Sequence, residues 1–267
     1  MIRFLAPMLA AAPLLALALP AHAQEEEPRP PKRYRVSLGP QLSPNYPGAD
    51  KVQLSPLVDV AVARGDDPFP FEAADDSFGF SILKNGAFEF GPIANFQGSR
   101  KRKESHAAID EVGTTVELGG YAQYWLARSL RLHTEIRKGV NGHGGLIGSV
   151  GLDYVARDRD KWLVSIGPRV TLSDEKYRRA YFDISPTVAA RTGLPVYRSN
   201  GSAVHALGVS STATRQFSSR WGIYGYARYD RLTGDGADSP LTTKPYGTRN
   251  QFSGGLGLSF TFGKGVR

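Results

Sequence analysis

The chain has 267 residues, with 33 Lys+Arg against 25 Asp+Glu, a formal charge of +8 and no cysteine. The lack of cysteine excludes a disulfide scaffold, so stability has to come from extensive backbone pairing or a large core. Beyond the first residues there is no long apolar run, and with a mean hydropathy of −0.30 this excludes crossing a membrane by helices.

Residues 1–23 combine an early cation at Arg3, an apolar run from Phe4 to Leu19 and the small-x-small site Ala21-His22-Ala23. That is the layout of a secretory signal peptide cleaved after Ala23. The run is shorter than the roughly 20 residues of a spanning helix, and Pro7 and Pro13 break it. An exported basic chain points to anionic lipid, lipopolysaccharide or cell-wall polymer rather than nucleic acid. Residues 24–33 (QEEEPRPPKR) are charged and proline-rich and are expected to form an extended tether.

From there the recurring signal is strict alternation, the period of a strand with two different faces. Strands are expected near 34–42, 51–63, 68–73, 78–84, 87–97, 114–125, 130–138, 146–157, 162–172, 204–214, 221–231 and 250–262. In LRLHTEIRK (130–138), Leu130, Leu132, Thr134 and Ile136 face one way and Arg131, His133, Glu135 and Arg137 the other. A soluble sandwich buries the apolar row; a membrane barrel inverts this, with apolar side chains in lipid and charges in the lumen. Several segments run to about 10 residues, the length of a tilted bilayer crossing, against about 5 to 6 for a soluble strand.

The connections sort in the same way. RGDD, KNG, ARS, RDRDK and RQFSSR are short and fall on one side; residues 43–50, 97–113, 138–144, 173–203 and 232–249 are longer and fall on the other. Short periplasmic turns and long outer loops are the pattern of outer-membrane barrels. The expectation is an all-β transmembrane antiparallel barrel of about twelve strands over 34–262, or ten if the short third and fourth merge or lie outside. Residues 181–190 are assigned to a long outer loop, because counting them as a strand gives an odd number and swaps the sides of every earlier link.

Several stretches resemble the MipA/OmpV family of outer-membrane proteins: SPNYPGAD (43–50), LRLHTEIRKGVNGHGG (130–145), DEKYRRAYFDI (174–184), TGLPVYRSNGS (192–202) and YDRLTGDGADSPL (229–241). They lie in family order along essentially the whole mature chain. The resemblance implies an outer-membrane β-barrel and, for the family's namesake, a scaffold that holds a lytic transglycosylase and a peptidoglycan synthase together. Other members are described as porins or adhesins, so a small-solute pore or an adhesin is the alternative. Barrels of this kind usually finish on an aromatic residue read by the insertion machinery. Here residues 263–267 (GKGVR) follow Phe262 as an extension, and the insertion signal is expected just upstream, at Gly257, Phe260 and Phe262.

The candidate sites are read from the residues. Arg131, His133, Glu135 and Arg137, with Glu117, Asp153 and Arg169 on other strands, form an expected lumen charge row of mixed sign. Arg100, Lys101, Arg102 and Lys103 form the strongest cationic cluster, placed on an outer loop where it suits lipopolysaccharide phosphates, with a plain solvated charged loop as the alternative. It lacks the aromatic interleaving of a nucleic-acid surface. The acidic stretch RLTGDGADSP (231–240) has no distal Glu for a calcium loop. It reads instead as a tight turn: Gly234 and Gly236 at positive φ, Asp235 and Asp238 accepting local backbone N–H groups, Pro240 restarting an extended run. A lipid-hydrolase site of Ser239, His143 and Asp238 is a remote alternative without a nucleophile elbow. No cofactor or metal is expected, and the protein is not expected to be an enzyme.

Overall fold

The structure is a computed structural model that describes residues 30–101 and 109–264. Among these residues, ten long strands and two short ones form a single antiparallel sheet. In chain order they are β1 (Lys32–Pro44), β2 (Val52–Arg64), β3 (Phe78–Gly79), β4 (Leu83–Asn85), β5 (Phe88–Gln97), β6 (Thr115–Ala127), β7 (Leu130–Gly139), β8 (Leu146–Asp158), β9 (Trp162–Ser173), β10 (Val204–Gln216), β11 (Trp221–Leu232) and β12 (Asn250–Phe262). The long strands have 10 to 13 residues. At about 3.3 Å per residue and a tilt of about 40°, thirteen residues cover roughly 33 Å, enough to cross a bilayer core.

Consecutive long strands from β5 to β12 pair as neighbours, β12 pairs with β1, and β1 with β2. The sheet thus curls until its first and last strands meet, as Tyr34 opposite Phe262 and Val36 opposite Phe260 show. β1 begins at Lys32, so Lys32 and Arg33, expected in the tether, already belong to the sheet.

Exposure alternates with the chemistry inverted. Along β7, Arg131, His133 and Glu135 are buried, whereas Leu132 and Ile136 are exposed, Ile136 by 60%. β9 repeats this, with Ser165, Arg169 and Thr171 buried and Val164, Ile166 and Leu172 exposed. β12 does so with Ser259 and Thr261 against Phe252, Leu256 and Leu258. An apolar belt of this extent is far beyond what a water-soluble surface tolerates. In hydrocarbon the same arrangement is favourable, because every backbone polar group of a paired strand is satisfied within the sheet.

Two expectations need correction. Residues 68–73 do not form a wall strand. After β2 the chain turns into the barrel and climbs through its lumen, burying Phe69, Phe71 and Ala73. It leaves the lumen at Phe78 and descends as β3 and β4, which share the partner β5. The physical reason lies in Pro68 and Pro70, whose missing N–H groups cannot feed a sheet ladder. Residues 181–190 are part of the outer loop, but that loop is helical: α1 (Glu175–Phe182) starts at an Asp174 cap that accepts from Tyr177 N–H, and α2 (Pro186–Thr192) starts at a Ser185 cap with proline in its first turn. With α3 (Gly234–Asp238) they cover the long-loop end of the sheet, where Tyr46, Tyr177, Tyr181, Phe182 and Leu232 pack in one cluster.

Candidate functional site: the filled lumen and its cap

The interior is built in layers from the short-turn end upward. At the bottom Phe69 packs on Ala61 and Ala63, with the Arg33 and Arg35 guanidiniums 5.0 and 4.8 Å from its ring centre. Asp160 ties the same layer together, accepting from Phe69 N–H (2.9 Å) and from Arg33 (3.0 Å). Above it Phe71 sits against Val155, Leu163 and Trp125.

The next layer is ionic. Arg131 donates to Asp76 on the interior segment (2.7 Å) and to Asp153 on β8 (2.7 and 3.1 Å), with its guanidinium 4.5 Å from the Phe71 ring. Arg169 binds Asp75 with two hydrogen bonds (2.7 and 3.1 Å) and Asp153 with one (2.7 Å). Arg228 lies 3.2 Å from Asp75. Asp153 and Arg131 are each 1% exposed, a condition tolerable only for charges that are paired. Higher still, Arg137 pairs with Glu117 (2.9 Å) and with Glu135, while Glu135 also accepts from Ser77 N–H (2.8 Å). The structure therefore brings Arg131, His133, Glu135, Arg137 and Arg169 to one lumen. It adds Asp75, Asp76 and Arg228, which the sequence reading did not single out.

Asp76, His133 and Glu135 offer one imidazole nitrogen and two carboxylate oxygens within 4.8 Å of one another. Each carboxylate already faces a guanidinium, Asp76 that of Arg131 and Glu135 that of Arg137. A divalent ion there would add charge to a neutralised cluster, so the donor set fits an ion-pair network better than a metal site. Beside the ionic layer lies a cavity of about 610 Å³, lined among others by Glu72, Arg137, Tyr224, Tyr226 and Arg228.

The cap explains the acidic loop. Gly234 has φ 48°, as expected of a turn glycine, but Gly236 does not take a positive φ and lies within α3. A Cβ there would come within 3.3 Å of the Phe182 ring, so close packing is what calls for glycine. Asp235 accepts not from local groups but from the N–H of Asn200, Gly201 and Ser202 (3.2 Å each), and forms an ion pair with Arg178 at 2.9 Å. Pro240 opens a 3-10 turn rather than an extended run. Tyr197 donates to the Asp235 carbonyl, and desolvation, reinforced by Asp235, pushes its hydroxyl up to about 12.

Other candidates fall apart. Ser239 is fully buried, donates to the Phe182 carbonyl (2.7 Å) and caps the 3-10 turn. His143 accepts from Gly145 N–H at Nδ1, which leaves Nε2–H to donate to Glu117 (2.9 Å). Neither ring nitrogen is available to Ser239, so no nucleophile–base pair forms. Arg100 is not part of an outward cationic patch: it is 3% exposed and donates to the carbonyls of Tyr181, Ala180 and Asp110. Burial pulls its pKa below the ordinary guanidinium value. Lys101 is exposed, and Arg102 and Lys103 lie outside the described residues. Phe260 and Phe262 end β12 in an aromatic cluster with Trp221 and Tyr34, at centre distances of 4.7 Å (Trp221–Phe260) and 5.6 Å (Tyr34–Phe262), and Gly257 faces inward.

An inside-out antiparallel sheet curled so that its first and last strands in chain order pair, with charges in its lumen and aromatics at its rim, defines a transmembrane β-barrel of the outer-membrane class. The family model described as MltA-interacting protein MipA matches residues 36–262, and the chain belongs to that family. Curated relatives named MltA-interacting protein, from Escherichia coli (strain K12) and Shigella flexneri, are each 35% identical over 83 residues, 31% of this chain and 33% of theirs. The matched stretch thus spans about a third of the length of those relatives. Among solved structures, an outer membrane channel of Pseudomonas putida F1 is similar at 10% identity and a TM-score of 0.41, covering 91% of this chain and all of that one. The outer membrane protein OprG of Pseudomonas aeruginosa is similar at 11% identity and a TM-score of 0.26, covering 88% of this chain and 97% of that one.

Proposed function

We propose that the protein is a non-enzymatic scaffold of the outer membrane that engages cell-wall enzymes, a lytic transglycosylase and a peptidoglycan synthase, from its periplasmic face. The observation that carries this reading is the filled lumen: the protein's own residues 65–77 occupy it, held by the Arg131–Asp76, Arg169–Asp75 and Arg228–Asp75 ion pairs. A barrel closed by its own chain suits holding better than conducting. The relatives' name, MltA-interacting protein, supports the choice of partner. In this reading the leader 1–23 is removed on export, the tether, shortened to 24–31 by the start of β1 at Lys32, and the short turns meet the partners, and Gly257, Phe260 and Phe262 serve insertion. Those turns expose the cations Lys84, Arg128, Arg159, Lys161 and Arg220, which suits acidic partner surfaces or cell-wall polymer. Lys101, exposed on the opposite face, is assigned to lipopolysaccharide.

The test is co-purification from detergent extracts. Murein hydrolase and synthase are expected with the intact protein; their loss is expected when the turn cations are replaced by Ser. No recovery of either, under conditions where a known pair is recovered, refutes the scaffold. The cavity of about 610 Å³ favours a second reading, passage of a small solute. Single-channel conductance of the intact protein in planar bilayers separates the two.

A further inference from the structure

The barrel wall has a gap. β2 pairs with β1 alone, and on the far side of the gap β3 reaches β5 only at Ile93 and Ala94. Above that point Asn95, Phe96 and Gln97 pair with β6 and, among the described residues, with nothing on their other edge. Unpaired strand edges at membrane depth persist only where they are shielded or line a wet cavity.

The lumen cavity runs into this gap. Along a strand, consecutive residues point to opposite faces, so a cavity confined to the lumen touches every second one. This cavity is lined by Leu57, Val58, Asp59 and Val60 in succession, and by Asn95, Phe96 and Gln97 in succession. Leu57 is buried inside, whereas Val58 and Val60 are 51% and 53% exposed on the lipid face. The cavity therefore wraps around the edge of β2 and opens sideways, with Phe78 and Phe96 as its apolar rim.

Its inner wall is polar and biased in charge. Arg137 and Arg228 are engaged with Glu117 and Asp75, and Asp75 and Asp76 with arginines. Glu72 lines the cavity together with Asp59 and makes no ion pair among the described residues. A positive charge is what this wall lacks.

We propose that the gap between β2 and β5 is a lateral portal for an amphiphile with a cationic head. The head sits beside Glu72 in the lumen, and the apolar tail passes between Val58, Val60, Phe78 and Phe96 into the bilayer. This inference is independent of the scaffold reading, since binding through the wall requires no periplasmic partner.

The test uses the full chain in proteoliposomes with a spin-labelled hexadecyl ammonium amphiphile and its neutral and anionic analogues of equal chain length. The cationic probe is expected to show a motionally restricted signal that saturates near one per protein and is displaced by hexadecyltrimethylammonium. Glu72→Gln is expected to weaken it about tenfold, and Val60→Trp, which fills the portal from its lipid face, to abolish it. Ile136→Trp on the paired wall is expected to change nothing. No saturable restricted signal, equal signals from all three heads, or equal effects of the two tryptophans overturns the proposal. If Val60→Trp fails to fold, Val58→Cys serves instead: a membrane-impermeant maleimide should label it at least tenfold faster than Ile136→Cys. Equal rates contradict the portal.

Discussion

Arg131→Ala probes the joint between the wall and the interior segment. The side chain loses hydrogen bonds to Asp76 and Asp153 and its place over Phe71. Asp153 keeps Arg169, but among the described residues the Asp76 carboxylate keeps only the Ala73 N–H and a His133 nitrogen 3.6 Å away. Removing one partner of a buried pair costs about 3–5 kcal/mol, and the lost cation–π contact adds about 1 kcal/mol. The retained Arg169 contact offsets part of this, so about 4 kcal/mol is expected. The decisive quantity is the coupling in a cycle with Asp76→Ala. Because these groups touch directly, a coupling of about 2 kcal/mol is expected, read from urea unfolding in lipid vesicles by tryptophan fluorescence. A coupling near zero would mean that Asp76 is not docked on β7, and the filled lumen would have to be abandoned.

Asp75→Ala combined with Asp76→Ala removes the anchors of residues 65–77 to three arginines; step-like conductance is expected in planar bilayers where the parent is silent, and a silent variant argues against the clamp. Asp235→Ala leaves Arg178 buried without its partner and frees three N–H groups; at about 3 kcal/mol, amide exchange at Asn200–Ser202 should rise on the order of 100-fold, and an unchanged rate contradicts its role in the cap. The raised Tyr197 hydroxyl stabilises the cap fully below pH 10, and that contribution is lost as pH rises through about 12. Tyr197→Phe should remove this alkaline loosening, followed as proteolysis of the cap. Ser239→Ala is expected to cost about 1 kcal/mol as a lost cap without altering fatty-acid release, which is expected to be nil for the parent; release by the parent that the variant abolishes would revive the hydrolase.

The wall strands were legible because each carries two chemically distinct faces: in LRLHTEIRK the period of two alone separates Arg131 and Glu135 from Leu132 and Ile136. The interior segment was not, since Phe69, Phe71 and Ala73 alternate like a strand although they line no wall. The available signal was the pair Pro68 and Pro70, which denies a ladder its donors. The outer helices are also announced locally, by Asp174 before EKYRRAYF and by Ser185 followed by Pro186, a signal that strand parity, which only places these residues in an outer loop, does not carry. The ion pairs of Asp75 with Arg169 and Asp235 with Arg178 join residues distant in the chain, and no local pattern encodes them. Arg100 misled for a related reason: a cation within SRKRK reads as solvated until helix carbonyls are found to surround it.

The central claim is that the charged face of the sheet lies inside and its apolar face in lipid. Since the chain has no cysteine, single cysteines can be placed at each position from 130 to 138, spin-labelled and reconstituted in bilayers. Relaxation by oxygen, which concentrates in hydrocarbon, is expected to be high at 132, 134 and 136 and low at 131, 133, 135 and 137. The reverse pattern, with the charged positions open to aqueous relaxants and the apolar ones shielded from oxygen, would contradict the membrane barrel outright.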